Sequence, residues 1–110
     1  MTMTVKDALT KFGFECITTC DTERIIKDVY IGDLLSWVMG KAPADCAWIT
    51  IQAHINIVAV AVLVEASCII IAENASVDED TIAKANEENL PILITKLTAY
   101  QVAALFARDA

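Results

Sequence analysis

The sequence contains little glycine, and this scarcity argues against one large class of function. Its 110 residues include three glycines, too few for a glycine-rich loop that cradles phosphate groups. The nearest approach to a P-loop is Gly40-Lys41. There, however, Ala42 replaces the required Ser or Thr, and Leu35 stands where the first glycine belongs. We therefore expect no phosphoryl transfer.

Positive charge and catalytic signatures are also scarce. Eight Lys and Arg residues stand against 15 Asp and Glu, giving a net charge of -7, and the basic residues are scattered. Nucleic acid and anionic membranes are therefore poor partners. The patterns G-x-S-x-G, H-E-x-x-H and C-x-x-C are absent, and His54 is the only histidine, which favours a non-catalytic protein. The alternative is a small enzyme or a structural subunit that uses strand-end polar residues around His54.

The amino terminus lacks the pattern of a secretion signal. MTMTVKDALTK has no basic region followed by an apolar one, so we expect a cytoplasmic protein. Its four cysteines are then expected to be thiols. Cys16 and Cys20 form C-x-x-x-C, while Cys46 and Cys68 stand alone, and neither spacing is typical of zinc or iron–sulfur sites. We expect no metal and no cofactor.

The apolar content is high for one small domain, which is how we interpret residues 1–110. Hydrophobic residues make up 56% of the chain, against about 45–50% in an average domain, and a core this small cannot easily hide them all. We therefore expect a homodimer. Trp37 and Trp48 are candidates for its interface, with a position in the core as the alternative for each.

The stretch QAHINIVAVAVLVEAS, residues 52–67, allows more than one interpretation. A membrane span over Ala53 to Ala72 would contain Glu65 at a cost of about 2.5–3.5 kcal/mol and lacks flanking basic residues. The valines of residues 52–67 favour a strand. However, this stretch lies between two apolar strand patterns, and parallel strands need a crossover of a dozen or more residues, which is usually helical. We predict a helix within 54–66.

Apolar periodicity and capping signals predict the remaining elements. Helices are expected from Thr4 to Gly13, from Asp33 as cap to Gly40, from the acidic residues 78–80 to Asn89, and after Thr98. Strands are expected at Phe14–Thr18, Val29–Ile31, Cys46–Ile51, Cys68–Ala72 and Ile92–Thr95. This alternation predicts an α/β fold, a single compact domain with a largely parallel sheet and helices packed on it.

Polar residues follow several of the predicted strands. In parallel α/β sheets, ligands bind beyond the carboxyl ends of the strands, near helix N-termini. We therefore predict a ligand site in which one group of residues holds a small anionic or polar ligand and another sets its orientation. The first group is His54, Asn56 and Lys96, and the second is Glu73 or Asp33. In the alternative, Asn56 and Asp33 merely cap helices and His54 is an ordinary surface residue.

Several stretches together resemble a known family. VYIGDLLSWVMG, residues 29–40, AWITIQAHINIVAVAVL, residues 47–63, and CIIIAENASVDEDTIAKANEENLPILIT, residues 68–95, are similar to the DRTGG-domain family, in the branch of the N-terminal domain of HPr kinase/phosphorylase. The resemblance implies a small α/β domain that tends to dimerise and serves as a regulatory or ligand-sensing module. It further implies a stand-alone type linked to iron-only hydrogenase systems. The five-letter DRTGG string is absent, and Glu73-Asn74 stands where a glycine pair is expected.

Overall fold

The computed structural model describes residues 3–19 and 21–109. These residues form seven strands and five helices. In chain order they are β1 (Met3–Thr4), α1 (Val5–Phe12), β2 (Glu15–Cys16), β3 (Ile25–Ile26), β4 (Asp28–Ile31), α2 (Leu35–Lys41), β5 (Cys46–Thr50), α3 (Asn56–Leu63), β6 (Cys68–Ile71), α4 (Glu79–Glu87), β7 (Ile92–Ile94) and α5 (Ala99–Asp109).

A five-stranded sheet with the order β2-β7-β6-β5-β4 lies at the centre of the fold. Strands β4, β5, β6 and β7 are parallel, and only β2 runs antiparallel, beside β7. A separate two-stranded pair joins β1 to β3. The α/β fold with a largely parallel sheet is thus confirmed, and α3 is the helical crossover predicted between β5 and β6.

Helices cover both faces of the sheet because the buried side chains of each strand alternate in direction. Trp48 and Ile69 face the layer of α2, α3 and α4, where they pack with Val38 and Ile57. The neighbouring sheet residues Ile49, Ile70 and Leu93 instead face α1 and α5, where they pack with Val5, Ala8, Val102 and Phe106. The result is a three-layer α/β/α arrangement with an apolar cluster on each side of the sheet.

The ends of two helices follow the predicted capping chemistry. Thr4 and Asp7 form a reciprocal capping box at the start of α1, and Gly13 ends that helix in the left-handed conformation with φ 75°. Thr98 and Gln101 form the same box before α5, with N–H···O distances of 3.0 and 3.2 Å. In both cases side-chain oxygens satisfy backbone N–H groups that the helix leaves without a partner.

Helix α2 departs from its prediction. It begins after Leu34 and ends at Lys41, so Asp33 is not its cap and Gly40 does not terminate it. Among the apolar residues of this segment, Val38 is buried, but Leu34 and Met39 are exposed. The Asp33 carboxylate accepts hydrogen bonds from Thr50 and Ile51 and does not cap the helix.

The structure decides between the two positions predicted for each tryptophan. Trp48 is fully buried, so its position in the core is confirmed, whereas Trp37 is 60% exposed and does not lie in the core. Cys46 and Cys68 are buried free thiols as expected. Cys16 is disulfide-bonded, so the expectation of thiols throughout is wrong for it, and Cys20 lies outside the described residues.

The long apolar stretch is divided between α3 and β6. Within residues 3–19 and 21–109, no helix has both the length and the apolar character that crossing a bilayer requires.

Candidate functional site at the carboxyl end of the sheet

The parallel strands gather the predicted site residues at one end of the sheet. Asp33 lies two residues beyond β4, His54 lies four beyond β5, and Glu73 and Lys96 each lie two beyond β6 and β7. Asn56 is the first residue of α3. Because these four strands run in the same direction, all five residues lie at their carboxyl end, which is where ligands bind in such sheets.

Asp33 joins the loop after β4 to the loop after β5. Its Oδ1 accepts hydrogen bonds from the Thr50 hydroxyl at 2.8 Å and from the Ile51 backbone N–H at 2.9 Å. In return, the Gln52 side-chain amide donates to the Asp33 carbonyl at 2.9 Å. These bonds hold the carboxylate in place, so Asp33 fixes the shape of this part of the carboxyl end.

His54 is paired with Asp78, which the sequence predicted only as part of a helix start. Its Nδ1 lies 3.0 Å from Asp78 Oδ2, and the histidine side chain is 77% exposed. Asp78 occupies the N-cap position of α4 but makes no capping bond with its side chain. Nearby, the buried Thr81 hydroxyl donates to the Ala53 carbonyl at 2.9 Å. The loop that carries His54 is thereby attached to the first turn of α4.

The capping alternative is wrong for both residues to which it was applied. Ile55 occupies the N-cap position of α3 and makes no side-chain cap, and Asn56 lies within the helix. Asp33 precedes the N-cap of α2. Neither polar side chain is therefore explained by helix capping.

A tight turn after β6 has a backbone that L-residues seldom adopt. Glu73 and Asn74 both have positive φ, 59° and 56°, and the Ala75 N–H donates to the Ala72 carbonyl at 3.3 Å. Positive φ at both central positions is typical of a type I′ turn, which favours glycine or asparagine. This is where the resemblance expects a glycine pair, and the chain keeps the glycine-like conformation without the glycines.

The same turn is attached to the loop after β7. The Glu73 N–H donates to the Leu97 carbonyl at 2.8 Å, and the Asn74 N–H donates to the Thr95 carbonyl at 2.9 Å. These bonds place Asn74 beside Lys96 in a surface cavity of about 470 Å³, whose lining also includes Glu15 and Thr95. The cavity thus offers one ammonium, one carboxylate, one amide and one hydroxyl.

The predicted residues therefore divide into two groups. Lys96 lines the cavity beside β7, whereas the other four predicted residues are absent from its lining: Asp33, His54, Asn56 and Glu73. The strands β5 and β7 are separated by β6, a span of about 10 Å at the usual strand spacing. A ligand that contacts both groups must reach across that distance. Within the described residues, no group of three or more His, Cys, Asp and Glu side chains could hold a metal ion.

A larger cavity, which was not predicted from the sequence, lies at the opposite end of the sheet. It measures about 500 Å³, and its lining includes Arg24, Lys27, Asp45 and Glu65. Arg24 donates to the carbonyls of Ala66 and Ser67 at 3.2 and 3.4 Å, and Lys27 lies 3.6 Å from Asp45. Its two cations thus already have partners in the fold. No local sequence signal marks this cavity, because distant segments form it together.

Comparison with known proteins identifies a family and solved structures of similar fold. The family model of the DRTGG domain matches residues 15–108. A solved structure of similar fold is the CBS and DRTGG domains of the regulatory region of Clostridium perfringens pyrophosphatase, in complex with the activator diadenosine tetraphosphate. Its TM-score is 0.77 at 12% identity, over 94% of this chain and 45% of that chain. No significant match was found among curated protein sequences. This chain belongs to the DRTGG domain family.

Proposed function

We propose that this chain is a non-catalytic regulatory module that senses a small polar or anionic ligand at the carboxyl end of its sheet. One observation supports this most directly: the parallel strands and the Glu73-Asn74 turn place Lys96 and Asn74 together in a cavity. An ammonium and an amide can both donate hydrogen bonds to an anionic group. Family membership agrees with a regulatory role.

The remaining residues have distinct roles in this proposal. His54 and Asn56 form a second contact for a ligand long enough to reach from β7 towards β5, and Glu73 or Asp33 sets its orientation. Carboxylates occur throughout this end, with Glu15 in the cavity beside Lys96 and Asp33, Glu73 and Asp78 in the loops after β4 and β6, so they disfavour a compact polyanion. They favour an extended ligand whose charge is confined to the end beside Lys96.

We extend the proposal to the setting of the module. The GDLLS and H-x-N-I-V-A-V-A stretches support a place in the branch similar to the N-terminal domain of HPr kinase/phosphorylase. From that resemblance we propose a cytoplasmic homodimer linked to iron-only hydrogenase systems. The fold neighbour is the regulatory region of a pyrophosphatase with a bound dinucleotide, which makes nucleotides reasonable first probes.

The enzyme alternative rests on one observation, the His54–Asp78 pair, because a carboxylate that orients a histidine is one part of many nucleophilic sites. Such a site also needs a nucleophile in contact with the ring. In the part of the chain that the structure describes, the hydrogen bonds of His54 include no hydroxyl or thiol. The pair is explained more simply as the attachment of the His54 loop to α4.

A thermal-shift series tests the ligand proposal. The probes are inorganic phosphate, AMP, ATP and diadenosine tetraphosphate. At a concentration of 100 times its Kd, a probe that binds only the folded chain raises the free energy of unfolding by about 2.7 kcal/mol. We expect the shift to disappear in a His54→Ala/Lys96→Ala double variant that remains folded. Lys6→Ala is the matched control, because Lys6 is an exposed lysine of α1 outside the cavity, and its shift should equal that of the unmodified chain. An unchanged shift in the folded double variant would exclude the site.

A further inference from the structure

Helix α3 lies on the surface of the fold but has no polar face. Its sequence, NIVAVAVL, contains one polar residue, Asn56, and no charge. Ile57, Val58, Val60 and Ala61 pack into the core. The outward stripe consists of Ile55, Ala59, Val62 and Leu63, all exposed. A helix that packs against a core on one side and meets water on the other normally has polar residues on the outer side.

The apolar surface continues onto the neighbouring helix. Helix α2 packs against α3 on the same face of the sheet, and both Leu34 and Trp37 are exposed there. Among the described residues, ten large hydrophobic side chains are exposed, and eight of them lie between residues 31 and 63. We define the α2/α3 surface by six residues: Leu34, Trp37, Ile55, Ala59, Val62 and Leu63.

The charge of the chain indicates what can cover this surface. Two copies that each carry a net charge of -7 repel each other across any acidic surface. Helices α2 and α3 contain no acidic residue, and their one charge, Lys41, lies 5.7 Å from the Trp37 ring centre. On the side of α4, Lys84 and Glu88 border Ala59, Val62 and Leu63, and they pair with each other at 3.5 Å. The surface therefore carries little net charge, and a second copy of the chain finds an apolar surface that matches its own.

The size of the surface sets the expected strength of the contact. At 1.5 Å per residue, helices of seven and eight residues are about 10 and 12 Å long. A standard interface takes about 800 Å² from each partner, which is about one seventh of the accessible surface of 5809 Å². Two short helices and their flanking loops supply an area at or below that value. We therefore expect a two-fold contact of modest affinity.

We propose that the α2/α3 surface is the homodimer interface of this chain. The inference deepens the proposed function and rests on the homodimer named there. Leu34 and Ile55 of this surface lie three residues beyond β4 and five beyond β5, and Asp33 directly precedes Leu34, so the surface extends to the carboxyl end of these two strands. A second copy seated on it would border the Asp33 and His54 side of the candidate ligand site.

Sedimentation velocity on the full chain without ligand tests the interface. The protein concentration is varied from about 1 μM to about 1 mM, the range in which a dimer with an interface of this size dissociates. The mass should rise with concentration from 11.9 kDa towards twice that value. Trp37→Glu and Leu63→Glu place a carboxylate on the surface and should each keep the chain monomeric. The control is Tyr100→Glu, which changes an 81% exposed aromatic of α5 on the opposite layer and should dimerise normally.

Each outcome supports or overturns the inference. Leu63 is 65% exposed, so its substitution should leave the far-ultraviolet circular dichroism and the Tm nearly unchanged, even where Trp37→Glu perturbs packing. A monomer at every concentration overturns the proposal, and so does a dimer that survives Leu63→Glu or is lost equally in Tyr100→Glu. Ligand is absent throughout, so a failure here leaves the ligand proposal standing, and a failure of ligand binding leaves the interface standing.

Discussion

Substitution of Glu73, in the turn after β6, by glycine should stabilise the protein, whereas most single substitutions destabilise a fold. Glu73 has a φ of 59°, where the Cβ of an L-residue crowds the backbone at a cost of about 1–2 kcal/mol. Glycine removes this crowding but has more freedom in the unfolded chain, which costs about 0.5–1 kcal/mol. The net expected gain is about 0.5–1 kcal/mol.

The hydrogen bonds of the turn should be unaffected by this change. Glu73 donates to Leu97, and Ala75 donates to Ala72, through backbone N–H groups that glycine retains. For a domain of about 100 residues, the gain corresponds to a rise in Tm of about 2–6 °C. The measurements are calorimetric Tm and urea denaturation of the full chain.

Three control variants separate backbone strain from the loss of a charge. Glu73→Gln removes the charge and Glu73→Ala removes the long side chain, but both keep the Cβ and should remain near the unmodified Tm. Glu73→Val adds a branch at the Cβ and should lower the Tm. A Glu73→Gly variant less stable than Glu73→Ala would refute the reasoning, because relief of strain at positive φ would then be absent.

Two other predictions concern buried polar groups. Thr81→Val should destabilise the fold by about 0.5–1.5 kcal/mol, because the Ala53 carbonyl loses the donor that Thr81 supplies at 2.9 Å and keeps only the longer bond from the Asp78 N–H at 3.5 Å. Thr81→Ser should retain most of the stability in urea denaturation, and equal losses in the two variants would contradict this. Burial raises the pKa of Cys46 to about 11, with Asp28 adding to the effect, and burial raises the pKa of Cys68 to about 12. At about pH 8 both should remain protonated thiols that iodoacetamide alkylates only after denaturation, and site-resolved mass spectrometry showing rapid native alkylation would contradict this.

Much of the fold could be predicted because local pattern and chain connectivity agree over most of the sequence. The stretch 56–63 is the informative exception, since its valines favour a strand. The penalty for valine in a helix is only a few tenths of a kcal/mol, whereas two parallel strands cannot be joined without a crossover. Connectivity therefore outweighed propensity, and the helix prediction was right.

The errors arose where the outcome depends on partners that are distant in the chain. Asp33 has the right residue type for a helix cap, but the Thr50 hydroxyl and the Ile51 N–H compete for its carboxylate and are not adjacent in sequence. Strand β2 was predicted at five residues and has two, because its pairing with β7 sets its length. Likewise, the carboxyl end of the sheet was predictable from topology, but the division of its residues into two groups was not.

The composition of α3 also has a consequence for the chain before it is folded. Ile57 to Val64 is a run of eight apolar residues, five of them β-branched, without Pro, Gly or charge. Such a segment has the composition of aggregation-prone strands when it is exposed. Its helical state depends on packing against β5, β6 and α2, because a helix of eight residues is not stable by itself in water. On the ribosome or during heating, this segment therefore needs rapid burial, and its helical form protects the chain from intermolecular β-pairing.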